Sequence, residues 1–525
     1  MLSVIIYICA VLSACVYLFF LVRYHLHMLQ LNTYQVRKYS NWLKKRFFNV
    51  FTWKSLVLPA LLAFLTVDDI RKCSITLTCL FIAFILLAAT TKIKSEKKPF
   101  SVTARVKRLI ICLILLYSFS FFAFYIFNLR FLLAVIALLV PLYIFIAVLI
   151  MMPIEKTISN HYLNDAKRKL KNANNLTLIG ITGSYGKTST KYTLAKLLCT
   201  KYNVLMTPES YNTPMGVTKT VRGFLNPTTE MFIAEMGAMR KGEINQLCKL
   251  TNPVAGMLSS VGPQHLETFK TIETVISTKF ELADHVWKNG GVMFLNYNNE
   301  YIAKHEIMGM CVKYGVVDST HSAELFDVWA ENISVGSFGC DFDICFKDGE
   351  RKNFCTRLLG FHNVMNITGA VAVACHYGAS LDRLVIAVRQ LEPVPHRLEL
   401  LKKSSLLSII DDAYNSNPSG AKFALDTLSY FGGKKILVTP GMIELGDKED
   451  ELNTEFGRQA AAVCDLIILV GKKQTACIKA GALTAGYDEE KIIVVDDIKD
   501  AFKMFSDITE ETVVLLENDL PDDYS

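Results

Sequence analysis

A chain of 525 residues is too long for a single domain, and its 51% hydrophobic content is coupled to an uneven distribution of charge. Residues 1–152 carry 17 Lys and Arg against 3 Asp and Glu, a net of +14, whereas the remaining 373 residues carry a net of −7. The basic excess therefore belongs to loops between apolar segments, which removes the compositional support for nucleic-acid binding.

Apolar runs occupy residues 2–22, 47–67, 74–91, 109–128 and 131–152. Each is near the ~20 residues that a membrane-spanning helix needs. The second run contains Lys54 and Pro59, so four spans are the alternative to five. Residues 23–54 and 92–108 hold seven Lys/Arg each, against two in 68–73 and one in 128–130. The positive-inside rule then predicts an outer N-terminus and a multi-pass plasma-membrane protein in lipid, with everything after Met152 in the cytoplasm. That orientation requires an odd number of spans, which five satisfies. The sequence LSAC at 12–15 resembles a lipoprotein cleavage box, but no Lys or Arg precedes it and the apolar run continues to Val22, so a retained helix is expected. The runs contain almost no ionisable residues, which favours anchoring or scaffolding over transport.

Residues 153–175 read as a charged helical linker. Beyond it, candidate strands at 176–181, 231–236, 254–260, 291–296, 405–411, 435–439, 465–470, 491–495 and 512–517 alternate with helical stretches. This alternation predicts α/β architecture with largely parallel sheets. Residues 311–358 interrupt it with strand-like or irregular sequence. PVPHR at 393–397 is a natural hinge, because proline stops a helix and restrains its neighbours. Two domains are expected after the membrane region of 1–152: one over 176–395, and a smaller doubly wound, Rossmann-like unit over 396–525. Fourteen cysteines are scattered without a C-x-x-C pair. Cys340, Cys345 and Cys355, with Cys311 further off, have poor spacing for zinc, and free thiols in a reducing cytosol are the simpler account.

Residues 180–190, GITGSYGKTST, form a glycine-bracketed turn between an apolar strand and a helix. Backbone N–H groups around Gly183, Ser184 and Gly186 would face phosphate oxygens, Lys187 would reach the terminal phosphates, and the Thr188 hydroxyl suits Mg²⁺. The first glycine falls at 180, out of register with the strict G-x-x-x-x-G-K-[ST] pattern. Glu235 closes the strand MFIAEMG, where a carboxylate can hold nucleotide-bound Mg²⁺. His265 lies in the turn VGPQHLE, and Lys279 in a helix with Glu273 and Glu281 nearby. Taken singly, a surface acid, a polar loop histidine and a solvated lysine are the plain alternatives.

With SYNTPMGV (210–217), AEMGAMRKGEI (234–244), SSVGPQHLETF (259–269), STKFELAD (277–284), GFHNVMNITGA (360–370), PVPHRLELL (393–401) and IIDDAYNSNPSGA (409–421), the turn resembles the ordered motif set of the Mur ligases. These ATP-dependent enzymes form amide bonds in peptidoglycan precursors. DDAYNSNP and GMIELG (441–446) look most like the MurF type, which adds D-alanyl-D-alanine to UDP-N-acetylmuramoyl-tripeptide. The resemblance covers about 176–500, and in it the displaced glycine is the family's form of the loop. It implies a P-loop central domain and ATP with Mg²⁺ as cofactors. Lys187 would contact the β/γ phosphates, Thr188 and Glu235 would hold the first Mg²⁺, and His265 would help hold a second. Lys279 would be carbamylated, Asn363 beside His362 would meet the adenine region, Arg397 the γ-phosphate and Asp412 the ribose. Asn212 and Thr213 would face a muramyl-peptide-like carboxylate substrate, which an amino acid or dipeptide amine attacks. Membrane sequence stands where the family's uridine-nucleotide-binding domain belongs. After VVLLE, the chain reads NDLPDDYS where MurF-type enzymes continue with a Lys-Gly-Ser segment. Other envelope-synthesis proteins are possible partners. A poly-γ-glutamate synthetase-like ligase, a folylpolyglutamate synthetase and a non-catalytic ATP-binding envelope scaffold are the competing readings.

Overall fold

The computed structural model describes residues 2–45, 82, 99–127, 139–264, 266–402, 404–414, 416–443, 445–505 and 508–519. The predicted spans at 47–67 and 74–91 lie outside the described residues, apart from helical Ile82. Contacts divide the chain into a unit over Met1–His161 and another over Tyr162–Asp519.

The first unit contains α1 (Leu2–Leu31), α2 (Val36–Lys45), α3 (Ala104–Ile126) and the start of α4 (Val140–Asn172). The LSAC segment at 12–15 lies inside α1. Leu26, Leu29, Tyr39, Leu109, Leu113, Ile144 and Ala147 pack into one core. Arg108 donates to both carboxylate oxygens of Glu155, at 2.7 and 2.9 Å. Two described helices are long and apolar enough to cross a membrane, within Ala104–Ala123 and Val140–Asn172. Residues 153–172 of the charged segment continue α4 through Pro153, and the helix ends at Asn172, short of residue 175.

In the second unit, β1 (Thr177–Thr182), β2 (Val204–Met206), β3 (Met231–Glu235), β4 (Ala255–Leu258), β5 (Val292–Asn296), β6 (Cys311–Val316), β7 (Val328–Gly336), β8 (Gly339–Phe346) and β9 (Arg351–Thr356) form one sheet. Its order is β2-β3-β1-β4-β5-β6-β7-β8-β9. Pairing is parallel as far as β7 and antiparallel from β7 to β9. Successive side chains of a strand point to opposite faces, and here both faces are covered. Ile179, Ile181, Ile233 and Met257 pack with α5 (Lys187–Leu198) and α9 (Phe361–His376). Leu178, Phe232, Ala234 and Leu258 pack with α7 (Glu243–Thr251) and α8 (Ile272–Lys288), and α6 (Pro214–Phe224) adds Val217 and Val221. The displaced Gly180 lies inside β1, where a Cβ would meet Leu282 and Met236 at 2.9 Å, so close packing accounts for it.

A second sheet has the order β10-β11-β15-β12-β13-β14, from β10 (Glu399–Lys402), β11 (Leu407–Asp412), β12 (Lys434–Thr439), β13 (Leu466–Val470), β14 (Ile492–Val495) and β15 (Thr512–Glu517). All its pairings are parallel except β10 with β11. Because β15 returns between β11 and β12, the carboxyl ends of these strands form the crevice where open α/β sheets bind ligands.

Candidate nucleotide and acyl-transfer site

The residues after β1, β3 and β4 meet at the carboxyl edge of the first sheet, where Ile181 is in register with both Glu235 and Met257. The turn after β1 is tied to the loop after β4. Ser184 N donates to the Ser260 carbonyl at 2.8 Å, Tyr185 N to Ser260 Oγ at 2.8 Å, and Ser259 Oγ to the Tyr185 carbonyl at 2.6 Å. Ser184 Oγ donates to the Gly262 carbonyl at 3.0 Å, so this side chain shapes the turn. The backbone runs so close to Ser259 that a Cβ at Gly183 would collide with its Oγ. Gly186 caps α5 in the left-handed region, at φ 77°, without a side-chain cap. The first N–H groups of α5 are therefore open at a helix end with positive dipole character. Lys187 Nζ folds over the turn, donating to the carbonyls of Gly183 at 2.6 Å and Ser184 at 3.0 Å. Burial brings its ammonium down to about 8, against the pull of Glu235 and with the help of Arg397. Thr188 follows it in the first turn of α5.

Glu235 is 1% exposed, which excludes the surface-acid alternative. Its Oε2 accepts from Lys191 Nζ at 3.0 Å and its Oε1 from Asn212 Nδ2 at 3.1 Å. Lys191 is fully buried and also donates to the Glu209 carbonyl. Sequence reasoning missed Lys191; its signal was a second lysine one helical turn after Lys187, on the same face. Ser259, Ser260 and Asn366, which accepts from Thr190 Oγ1 at 3.0 Å, were missed as well. Thr213 is the N-cap of α6, accepting from Gly216 N at 3.2 Å, so it builds the helix beside Asn212.

Lys279 on α8 is buried, and desolvation, with Lys187 adding to it, pulls its pKa well down against Glu243 and Glu281. Glu281 accepts from Gly242 N and Asn245 N at 2.7 and 2.9 Å, capping α7. His265 lies outside the described residues.

Asn363 and Arg397 line one cavity of about 240 Å³, together with Ser189, Lys196, Gln390 and Val394. Asn363 Nδ2 donates to the Leu359 carbonyl at 2.8 Å. The adjacent His362 is pushed down to about 4 by burial and stacks on Phe423. The Arg397 guanidinium covers the Tyr414 ring at 4.3 Å, and Tyr414 shares a 2.6 Å hydrogen bond with Ser210 that links the two sheets' loops. Asp412 Oδ1 accepts from Leu398 N at 3.2 Å, and burial pushes the Asp412 carboxyl up to about 6 against the field of Arg397. Glu517 is its register partner on β15, accepts from Ser416 Oγ, and is raised well above the carboxylate range by burial and by Asp412. Among the described residues, no cysteine group is placed to hold a metal ion.

A glycine turn at a sheet edge, a cation folded over it and a second cation from the next sheet define a nucleotide-handling α/β protein. Residues 181–374 match the Mur ligase middle domain and residues 396–517 the Mur ligase glutamate ligase domain, together more than half of the chain. The chain belongs to the Mur ligase family. It is 34% identical over 282 residues to the UDP-N-acetylmuramoyl-tripeptide–D-alanyl-D-alanine ligase of Bacillus subtilis, covering 53% of this chain and 59% of that protein. The Escherichia coli protein of the same name is 29% identical over 318 residues, 60% of this chain and 69% of that one. The MurF ligase of Thermotoga maritima in complex with ADP superposes with a TM-score of 0.60 at 26% identity, over 69% of this chain and 80% of that one. MurF of Acinetobacter baumannii, at 24% identity and a TM-score of 0.61 over 69% and 77% of the two chains, shares the fold.

Proposed function

We propose that the chain is a membrane-anchored, ATP-dependent amide-bond ligase of cell-wall precursor synthesis, of the MurF type. One observation carries the reading: Lys187 Nζ folds over the glycine turn onto the carbonyls of Gly183 and Ser184, and Arg397 lines the cavity that opens beside Ser189 on the same helix. A polyphosphate lying along this helix end meets both cations. Gly183 lets the turn pack against Ser259, Gly186 leaves the first N–H groups of α5 without a side-chain cap, and the cavity holding Asn363 and Arg397 suits the base end of ATP. Asp412 is assigned to the ribose.

Thr188 and Glu235 offer hard oxygen ligands that fit Mg²⁺, with His265 and a carbamylated Lys279 for a second ion. Bound there, magnesium supplies Lewis-acid stabilisation of phosphoryl oxygens. Lys279 suits carbamylation because burial favours the neutral amine, the form that attacks CO₂.

The acceptor, a muramyl-peptide-type carboxylate beside Asn212, attacks the γ-phosphorus; its bond to the bridging oxygen breaks and ADP leaves. The amine nitrogen of an amino acid or dipeptide then attacks the acyl carbon and loses a proton as phosphate departs. Lys187 and Arg397 offset the negative charge that develops on the oxygens in both steps. The working domains are assigned to 176–395 and 396–525, which is supported by the gap between the two family matches.

Residues 1–152 are assigned to the anchor and 153–175 to the linker. Exposed Ile111, Leu115, Phe119 and Phe122 on α3 support lipid contact, and the basic loops support cytoplasmic catalysis. The test is phosphate release by the detergent-purified protein across muramyl peptides, glutamate chains, amino acids and dipeptides. Release that requires both a muramyl peptide and an amine is expected; release driven by glutamate chains alone contradicts the proposal.

A further inference from the structure

A second cavity, of about 780 Å³, is separate from the nucleotide cavity and is lined by Tyr162, Tyr211, Thr213, Thr218, Lys219 and Arg222, among others. One wall is the polar end of α4, the linker helix, and the other is the exposed side of α6. Its near end is Thr213, next to Asn212 and through it Glu235. Its far end is basic. Lys219 lies six positions and Arg222 nine positions beyond Thr213, about 9 and 14 Å along the axis.

The two cations differ in their partners. Arg222 Nε donates to Asp165 Oδ2 at 2.8 Å, and its guanidinium covers the Tyr162 ring at 4.2 Å. Lys219 Nζ instead donates to the Tyr211 hydroxyl at 2.9 Å and lies over that ring. Among the described residues, Lys219 has no carboxylate within ion-pair distance, and Glu209 acts on it only from further off. At the cavity wall, Thr218 Oγ1 is buried without a hydrogen-bond partner. An exposed ammonium, an unpartnered hydroxyl and two tyrosine rings around a nucleotide-sized space form a site for a phosphorylated tail bearing a ring.

We propose that this cavity binds the distal diphosphate of the acceptor, with Lys219 as its principal cation, while the acceptor's carboxylate lies toward Asn212. The inference rests on the acyl-acceptor reading above and adds the place where the acceptor's far end is held: between the linker helix and α6. Tyr162 comes from the linker, so the segment that follows the membrane-type sequence itself builds part of the substrate site.

The test uses the full chain in detergent, with Lys219→Met and Lys219→Glu. Steady-state turnover is measured with three acceptors sharing one acyl end: a uridine-diphosphate muramyl peptide, a lipid-diphosphate muramyl peptide, and the same muramyl peptide without phosphate. Loss of one charge-assisted contact is expected to raise KM for a diphosphate acceptor about ten-fold in Lys219→Met, and further in Lys219→Glu. KM for ATP, kcat and the KM for the phosphate-free acceptor should be unchanged. Whichever diphosphate acceptor shows the shift identifies its source. Equal KM shifts with and without phosphate, or no shift with either diphosphate, overturn the proposal.

A binding arm separates this inference from the ligase reading. With a non-hydrolysable ATP analogue saturating the turn, inorganic diphosphate should bind the wild-type chain and lose at least ten-fold affinity in Lys219→Met. That result supports the site even if no acceptor turns over, whereas equal binding by both overturns it even if turnover is robust.

Discussion

A buried lysine keeps its charge only when that charge is matched, and Lys191 meets that condition through Glu235 at 3.0 Å and the Glu209 carbonyl. Removing one partner leaves the other buried and uncompensated. Lys191→Met should therefore cost about 3–5 kcal/mol of stability in chemical denaturation, and adding Glu235→Gln should recover much of the loss. A single variant as stable as the wild type would show that the pair is not held as described. Lys187 differs, because its charge is set by its surroundings. The sign follows from which form works: in the proposed role the ammonium is the phosphate ligand, and burial brings its pKa down to about 8. In the free enzyme, kcat/KM for ATP should be level below that pH and fall about ten-fold per unit above it. A profile level to pH 10 would remove Lys187 from the phosphates. Glu235 could be nominated from the end of its strand, but its pairing with Lys191, 44 residues away in sequence, is a tertiary fact.

At the scale of elements, strands with contiguous apolar runs were legible. Residues 176–181, 231–236 and 512–517 become β1, β3 and β15, because strands covered on both faces need continuous hydrophobicity. β7 to β9 were legible only as strand-like or irregular sequence. Their antiparallel pairing sets Glu331 opposite Asp343 and Asp341 opposite Cys355, and polar residues on open faces dilute the pattern. Three-residue β2 is too short to carry any periodicity. The phosphate turn was legible because glycine has local steric meaning, whereas its anchoring by Ser259 and Ser260 was not, since the two loops are some 75 residues apart. Gly183→Ala should test that anchoring. Its Cβ would collide with Ser259 Oγ, an overpacking cost of about 1–3 kcal/mol confined to the turn. Nucleotide affinity should fall at least ten-fold while the circular dichroism spectrum is retained; unchanged affinity would mean that the turn does not cradle phosphate.

For the molecule as a whole, membrane-type sequence and a Mur ligase pair of sheets are joined in one chain. Charge distribution was enough to suggest that division, but the substrate-facing role proposed for the linker depends on which side chains meet across α4 and α6, and no motif announces it. If α3 and α4 span a bilayer, the full chain should sediment with membranes, resist carbonate and high-salt washing, and be released by detergent; release by salt alone would reject the anchor. The central claim is that the phosphate turn and the buried Lys279 drive amide formation. Its most direct measurement is amine-dependent ADP release by the wild-type chain, Lys187→Ala and Lys279→Ala, each checked for retained fold. Both variants should lose at least about a hundred-fold in rate. Wild-type rates in the two variants would contradict the assignment of this site to amide-bond synthesis.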